Sequence, residues 1–216
     1  MAPANYLSPR RLEALVDGVF AIAMTLLAFD LKVPEIAAAF VNSQLQLSVF
    51  ALWPRVIIYF ISFVTLGFYW VGHHIQYNYI KYSDRVALWI NLFFLMFVAL
   101  IPFTTGVLGR YPDSQFSIIL YGANIVIIGL IVNLHWWYAT VRHRLTEHEI
   151  SPKLVSMSQK RTLVGPCLAF LAILISFMNM TASIVLFAII PVYYILPASI
   201  DSFWRRPAVP HSHEKQ

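Results

Sequence analysis

Two groups of polar side chains sit inside stretches otherwise fit for hydrocarbon. The first is Asp17 with Thr25, in RRLEALVDGVFAIAMTLLAFDLKVPE at residues 10–35. A carboxylate within a spanning helix costs about 3 kcal/mol on insertion scales, so it normally faces other helices or water and finds a partner. Two readings are open for Asp17: a shallow charge at headgroup level near a helix N-terminus, or a tie to neighbouring helices. The second group is FYWVGHHIQYNY at 68–79, where Trp70 and His74 are four apart on one helix face and His73 is adjacent. A buried indole or imidazole wants a hydrogen-bond partner. Asn91, in the next apolar run, is a candidate interhelical hydrogen-bond donor, worth about 0.6 kcal/mol. Together these residues suit either a scaffold that fixes helix positions or, with Asp17 and His74 as relay, a proton-coupled secondary transporter. A zinc site needs three or four ligands; the other membrane histidine, His135, lies in a different span, so no metal site is expected.

The elements that must position these groups follow from composition. Of 216 residues, 59% are hydrophobic and 12% charged, against about 25% charged in soluble domains. About 20 apolar residues at 1.5 Å rise cross a ~30 Å hydrocarbon core. The expected fold is all-α and polytopic, with six transmembrane helices at about 12–32, 54–79, 85–108 and 114–140 and two within 162–200, broken near NMTAS at 179–183. The connection 33–52 holds EIAAAFVNSQLQL, a candidate interfacial helix, and 141–161 is the one sizeable polar connection, expected to be cytoplasmic and partly helical at its ends. Pro102 is expected to kink or end the third helix, and Trp136, Trp137 and Tyr138 to form an interfacial aromatic belt. Residues 1–204 read as one transmembrane domain and 205–216 as a flexible cytoplasmic tail.

Charge placement orients the spans. With the N-terminus inside, Lys32, Arg55 and Arg110 are the only three of the fifteen Lys and Arg residues left outside. Both termini are therefore expected to be cytoplasmic, and the basic pI of 9.4 reflects membrane flanks, with no nucleic-acid partner implied. Cys167, the single cysteine, excludes an intrachain disulfide. No signal peptide, internal repeat, GxSxG, HExxH or P-loop is present, so no enzyme is expected, and the potassium-filter sequence TVGYG is missing.

The first helix carries a longer pattern: Arg11, LEA, Leu15-Val16-Asp17, GVF, then Ala21-Ile22-Ala23-Met24-Thr25-Leu26-Leu27. It resembles the signature of the prokaryotic relatives of transmembrane protein 175, the endosomal and lysosomal potassium channel: an arginine, three residues, Phe-Ser-Asp, then Ala-Ile-x-x-Thr-Leu-Leu. WVGHH at 70–74 and NLFFL…IPF at 91–103 are also similar to that family. Leu15-Val16 replaces Phe-Ser, which removes a hydroxyl from the expected polar cluster. The resemblance implies a potassium-permeable channel of a prokaryotic plasma membrane, a homotetramer with the first helix of each subunit lining the pore. It implies an apolar constriction at Ile22, Leu26 and Phe29, with Thr25 as a polar ring between them and K+ as the permeant ion, no cofactor being needed. It implies a scaffold of Arg11, Asp17, Trp70 and one of His73 or His74, with His74 favoured. A ring of isoleucines closes a pore by dewetting, since a dehydrated cation is costly in a narrow apolar gap, and selectivity resting on dehydration and hydroxyl ligands is expected to be weak. Without the resemblance, Ile22, Leu26 and Phe29 read as packing residues.

Overall fold

The computed structural model describes residues 10–146 and 150–196; the tail expected at 205–216 lies outside the described residues. Among the described residues the fold is all-helical, with one isolated antiparallel bridge between Ile80 and Thr146. The helices are α1 Arg10–Ala28, α2 Val41–Phe50, α3 Trp53–Tyr79, α4 Arg85–Arg110, α5 Gln115–Thr140, α6 Pro152–Ser176 and α7 Met180–Ile195. Four of them, α3 to α6, are long and apolar enough to cross a membrane. α1 carries Arg10, Arg11, Glu13 and Asp17 in its first half, and α7 has 16 residues.

Local chemistry sets the helix ends. Asp84 caps α4, its Oδ1 accepting from the Ala87 N–H at 2.8 Å. Asn179 caps α7 in the same way through Ala182 at 2.9 Å, so the NMTAS break is a tight turn between α6 and α7. Proline sits in the first turn of α3 and α6, where the missing N–H is harmless. The polar connection 141–161 is helical at its ends, as expected: a 3-10 turn covers Val141–His143 and α6 starts at Pro152. Pro102 does not end its helix: α4 continues to Arg110. In the disturbed turn the Asn124 amide donates to the Phe97 carbonyl at 3.3 Å, supplying a partner from a neighbouring helix.

The helices close into one bundle. α4 packs on α1, α3 and α5; α5 packs on α6 and α7; α3 touches α1 and α7. The core runs through Phe20, Leu66, Phe94, Val98, Ile125 and Ala169, all buried. Polar stitches cross it, as expected where lipid gives no hydrophobic drive between helices. Thr105 Oγ1 donates to Ser62 Oγ at 2.8 Å, and Ser62 donates to Tyr121 Oη at 3.2 Å, joining α4, α3 and α5. Tyr194 Oη of α7 accepts from Gly165 N at 3.0 Å and donates to the Arg161 carbonyl at 2.8 Å, two groups of α6 one helical turn apart. The aromatic trio at 136–138 does not form a belt. Trp136 is buried with its indole N–H toward the Val155 carbonyl at 3.4 Å, and Tyr138 Oη donates to Asp84 Oδ2 at 2.7 Å; only Trp137 is exposed.

Small residues let α5 and α6 approach. A β-carbon added at Gly129 would stand 2.7 Å from Pro166 Cδ, a ring with little freedom to yield. Gly129→Val is expected to lower the stability of the purified protein by about 1–3 kcal/mol, read as a lower melting temperature in detergent, whereas Gly72→Ala, with open space around it, leaves melting unchanged.

Candidate functional site

α1 is apolar on two sides. Leu12, Val16, Phe20, Ala23 and Leu27 recur at helical spacing and are buried against the rest of the bundle. The opposite face carries Leu15, Gly18, Ile22, Thr25, Leu26 and Phe29, all exposed. Ile22 is 61%, Leu26 44% and Phe29, one residue past the end of α1, 76% accessible, so all three are largely uncovered in the single chain. The Thr25 hydroxyl donates to the Ile22 carbonyl at 2.8 Å. Its proton is thereby committed to its own helix and its oxygen lone pairs remain available on that face.

Asp17 and Trp70 meet. The indole N–H of Trp70 donates to Asp17 Oδ1 at 2.8 Å, linking the first half of α1 to the second half of α3. A charge-assisted bond of this kind is stronger than a neutral one. Asp17 lies in the second turn of α1, too far along for a cap, and both residues are exposed in the single chain. His74 stacks on Trp70, ring centroids 6.0 Å apart, and makes no hydrogen bond to Asp17 among the described residues. The Arg11 side chain is exposed and likewise joins no hydrogen bond or ion pair among the described residues.

His73 turns the other way. It is buried, and its Nε2 lies 2.8 Å from Asn91 Oδ1 on α4. The amide oxygen has no proton, so Nε2 carries the hydrogen and donates. The imidazole is sandwiched between Tyr77 at 4.4 Å and Phe94 at 5.5 Å, with the His135 ring of α5 at 6.1 Å. His135 Nδ1 faces Gln76 Oε1 at 3.4 Å. The two adjacent histidines therefore belong to different environments: His74 to the exposed Asp17–Trp70 pair, His73 to a buried network that pins α3, α4 and α5 together. Sequence reasoning missed Gln76 and Tyr77 as members. The signal was present, since 62, 66, 69, 73 and 76 of α3 fall on one helical stripe and all are buried. No group of three or more His, Cys, Asp or Glu side chains is placed to hold a metal among the described residues.

Comparison with known proteins adds a second line. Residues 11–102 match the family model for TMEM175, described as the endosomal/lysosomal potassium channel TMEM175. A potassium channel of Chamaesiphon minutus is 30% identical over 86% of this chain and 93% of its own length. A potassium channel of Streptomyces collinus is also 30% identical, over 85% of this chain and 90% of its own length. The crystal structure of a lysosomal potassium-selective channel TMEM175 homolog from Chamaesiphon minutus superposes with a TM-score of 0.75 at 28% identity, covering 86% of this chain and 95% of that one.

The geometry separates the two histidines experimentally. A double-mutant cycle on Asp17→Asn and Trp70→Phe is expected to give a coupling of about 1 kcal/mol in the melting of the purified protein, while a cycle pairing Asp17→Asn with His73→Gln gives none. Coupling of the same size to His73 would place Asp17 in the buried network instead.

Proposed function

This chain belongs to the TMEM175 family, and from that premise we propose that it forms a potassium-permeable cation channel. Four copies assemble in a prokaryotic plasma membrane, each crossing it six times through α1, α3, α4, α5, α6 and α7, with both termini cytoplasmic and α2 lying in the interface. The observation that carries the reading is the uncovered face of α1. Ile22, Leu26 and Phe29 stand at intervals of four and three, the last just past the end of α1, and all three are largely exposed in the single chain. Brought together around a four-fold axis, they form three successive apolar rings, with Thr25 oxygens between the first two.

The mechanism follows from those rings. A narrow apolar gap empties of water, and an ion stripped of its shell faces a steep solvation barrier there. Conduction needs a modest widening that admits a partly hydrated cation, which Thr25 then coordinates through its free lone pairs. A dehydration filter of this type discriminates K+ from Na+ weakly compared with a cage of carbonyls. Phe29, the bulkiest of the three, narrows the mouth farthest from Asp17. The Asp17–Trp70 bond holds α1 to α3 below the rings, with His74 stacked beneath the indole, so the scaffold fixes the rotation of the pore helix about its own axis. The chemistry is passage of an ion, and no group in the site is asked to make or break a covalent bond.

Ile22→Asn places an amide in the constriction and wets it. Lowering the barrier by ~1.4 kcal/mol raises leak about tenfold, read as K+ flux from proteoliposomes and as single-channel current under a K+/Na+ gradient; unchanged flux removes Ile22 from the gate. Asp17→Ala leaves the indole without its acceptor, and is expected to lower the tetramer fraction on size exclusion while the ion preference of the remaining tetramers is kept. Normal assembly with altered ion preference would reassign Asp17 to the permeation path.

A further inference from the structure

At the end of the bundle remote from Asp17 lies a cavity of about 300 Å³, walled by the end of α1, the start of α3 and the last turns of α4. That volume is at the lower edge of small-molecule sites, which run about 300–1,000 Å³. Its charged lining is Lys32, Arg55, Arg110 and the single carboxylate of Asp30. Lys32, Arg55 and Arg110 are the same three cations, out of fifteen, that the sequence leaves on the outer side. A side of the protein nearly bare of positive charge has thus gathered all of it around one hollow.

The three cations are not consumed by the protein itself. Among the described residues none of them forms a hydrogen bond or an ion pair; Arg110 rests over the Tyr111 ring at 5.8 Å and Asp30 is in electrostatic reach of Lys32 and Arg55 without a bridge to either. Arg55 is half-buried. A guanidinium withdrawn from water without an anion is costly, which points to a partner of opposite charge. The hydroxyls of Tyr59 and Tyr111 also line the hollow without partners of their own among the described residues. Planar guanidinium forks backed by an ammonium and hydroxyl donors match the oxygens of a phosphate group. The lining continues onto Phe103, which is 62% exposed on the flank of α4, so the anion site opens onto apolar surface.

We propose that this cavity binds the phosphate headgroup of an anionic phospholipid in the outer leaflet, with Arg55 and Arg110 gripping the phosphodiester, Lys32 closing over it and Phe103 lying along the acyl chains. The inference needs a membrane-spanning bundle in the orientation proposed above and does not need the pore. Its test is a binding measurement on the purified full chain in detergent, so its failure is distinct from a failure to conduct. Native mass spectrometry and thermal melting are run with phosphatidylglycerol, with phosphatidylcholine, and with inorganic phosphate. Phosphatidylglycerol is expected to stay bound and raise the melting temperature, phosphatidylcholine to do neither, and Arg55→Gln/Arg110→Gln to weaken phosphatidylglycerol binding by about tenfold or more. Lys32→Gln gives the same comparison at an exposed position should the double variant not fold. Equal binding of the two lipids by the unaltered protein, or unchanged phosphatidylglycerol binding in a folded variant, overturns the proposal. Equal stabilisation by inorganic phosphate alone overturns the lipid as the source.

Discussion

The structure depends on one constraint: α1 is apolar on opposite faces, and a single chain covers only one of them. Exposure of apolar side chains is not by itself informative in a bundle that faces lipid. α4 carries an exposed face of another kind: Trp89, Phe93, Met96, Leu100 and Phe103 recur along it, large and apolar throughout. The open face of α1 differs in kind. Gly18, Thr25 and the adjoining Asp17 interrupt it, and small or polar residues in a spanning helix mark close helix contact or water. The pattern on α1 therefore fits close contact with another helix or with water better than a hydrocarbon surround, the Asp17–Trp70 and Thr25–Ile22 bonds leaving acceptor oxygens on that side.

What holds α1 against its own bundle is a packed apolar face, with the one Asp17–Trp70 hydrogen bond beside it. Phe20 and Leu27 are almost wholly enclosed, and Phe20 meets Phe94 of α4 with ring centroids 5.8 Å apart. Around this, buried hydrogen bonds cross other helix pairs: Thr105–Ser62 for α4 and α3, His73–Asn91 for the same pair nearer the other end, and Ser183 to the Ala172 carbonyl at 2.7 Å for α7 and α6. In lipid these are worth little each, about 0.6 kcal/mol on average. Their greater effect is on register, because each donor has one acceptor at one height along the neighbouring helix.

Much of the helical organisation was legible because membrane helices announce themselves by length. The run read as 54–79 is α3, Trp53–Tyr79, and the run read as 114–140 is α5, Gln115–Thr140. Hydropathy alone does not mark where α6 begins: it starts at Pro152, ten residues before its apolar tract, because VSMSQKR is helical but too polar to carry an apolar signal. The choice between His73 and His74 was not legible from neighbouring positions alone, since residues one apart point about 100° apart on a helix. The choice lies in phase with Leu66 and Tyr69, which draws His73 inward to Asn91 and leaves His74 beside Trp70. The Trp136 and Tyr138 side chains were misread for a related reason: an aromatic cluster near a helix end suggests an interface, but a loop that folds back, with Leu145 wholly enclosed, buries them.

The two ends of α1 are fixed in different ways, and this bears on what the middle is free to do. Near its start Asp17 is bonded to Trp70 on α3. Just past its end Asp30 lies over Gly106 of α4, where an added β-carbon would stand 2.7 Å from both carboxylate oxygens; the missing side chain is what lets the carboxylate settle there. One carboxylate thus ties α1 to α3 and the other seats it on α4, roughly thirteen residues, or about 20 Å of helical rise, apart. Between the anchors lie Gly18, Ile22, Thr25 and Leu26. Sliding α1 along its axis would break both anchors, whereas bending or turning its centre by a few degrees strains neither greatly. The constriction proposed at Ile22 and Leu26 falls between these two anchors, so in the proposed channel small motions of the central turns would change its diameter while each subunit keeps its α1 in place.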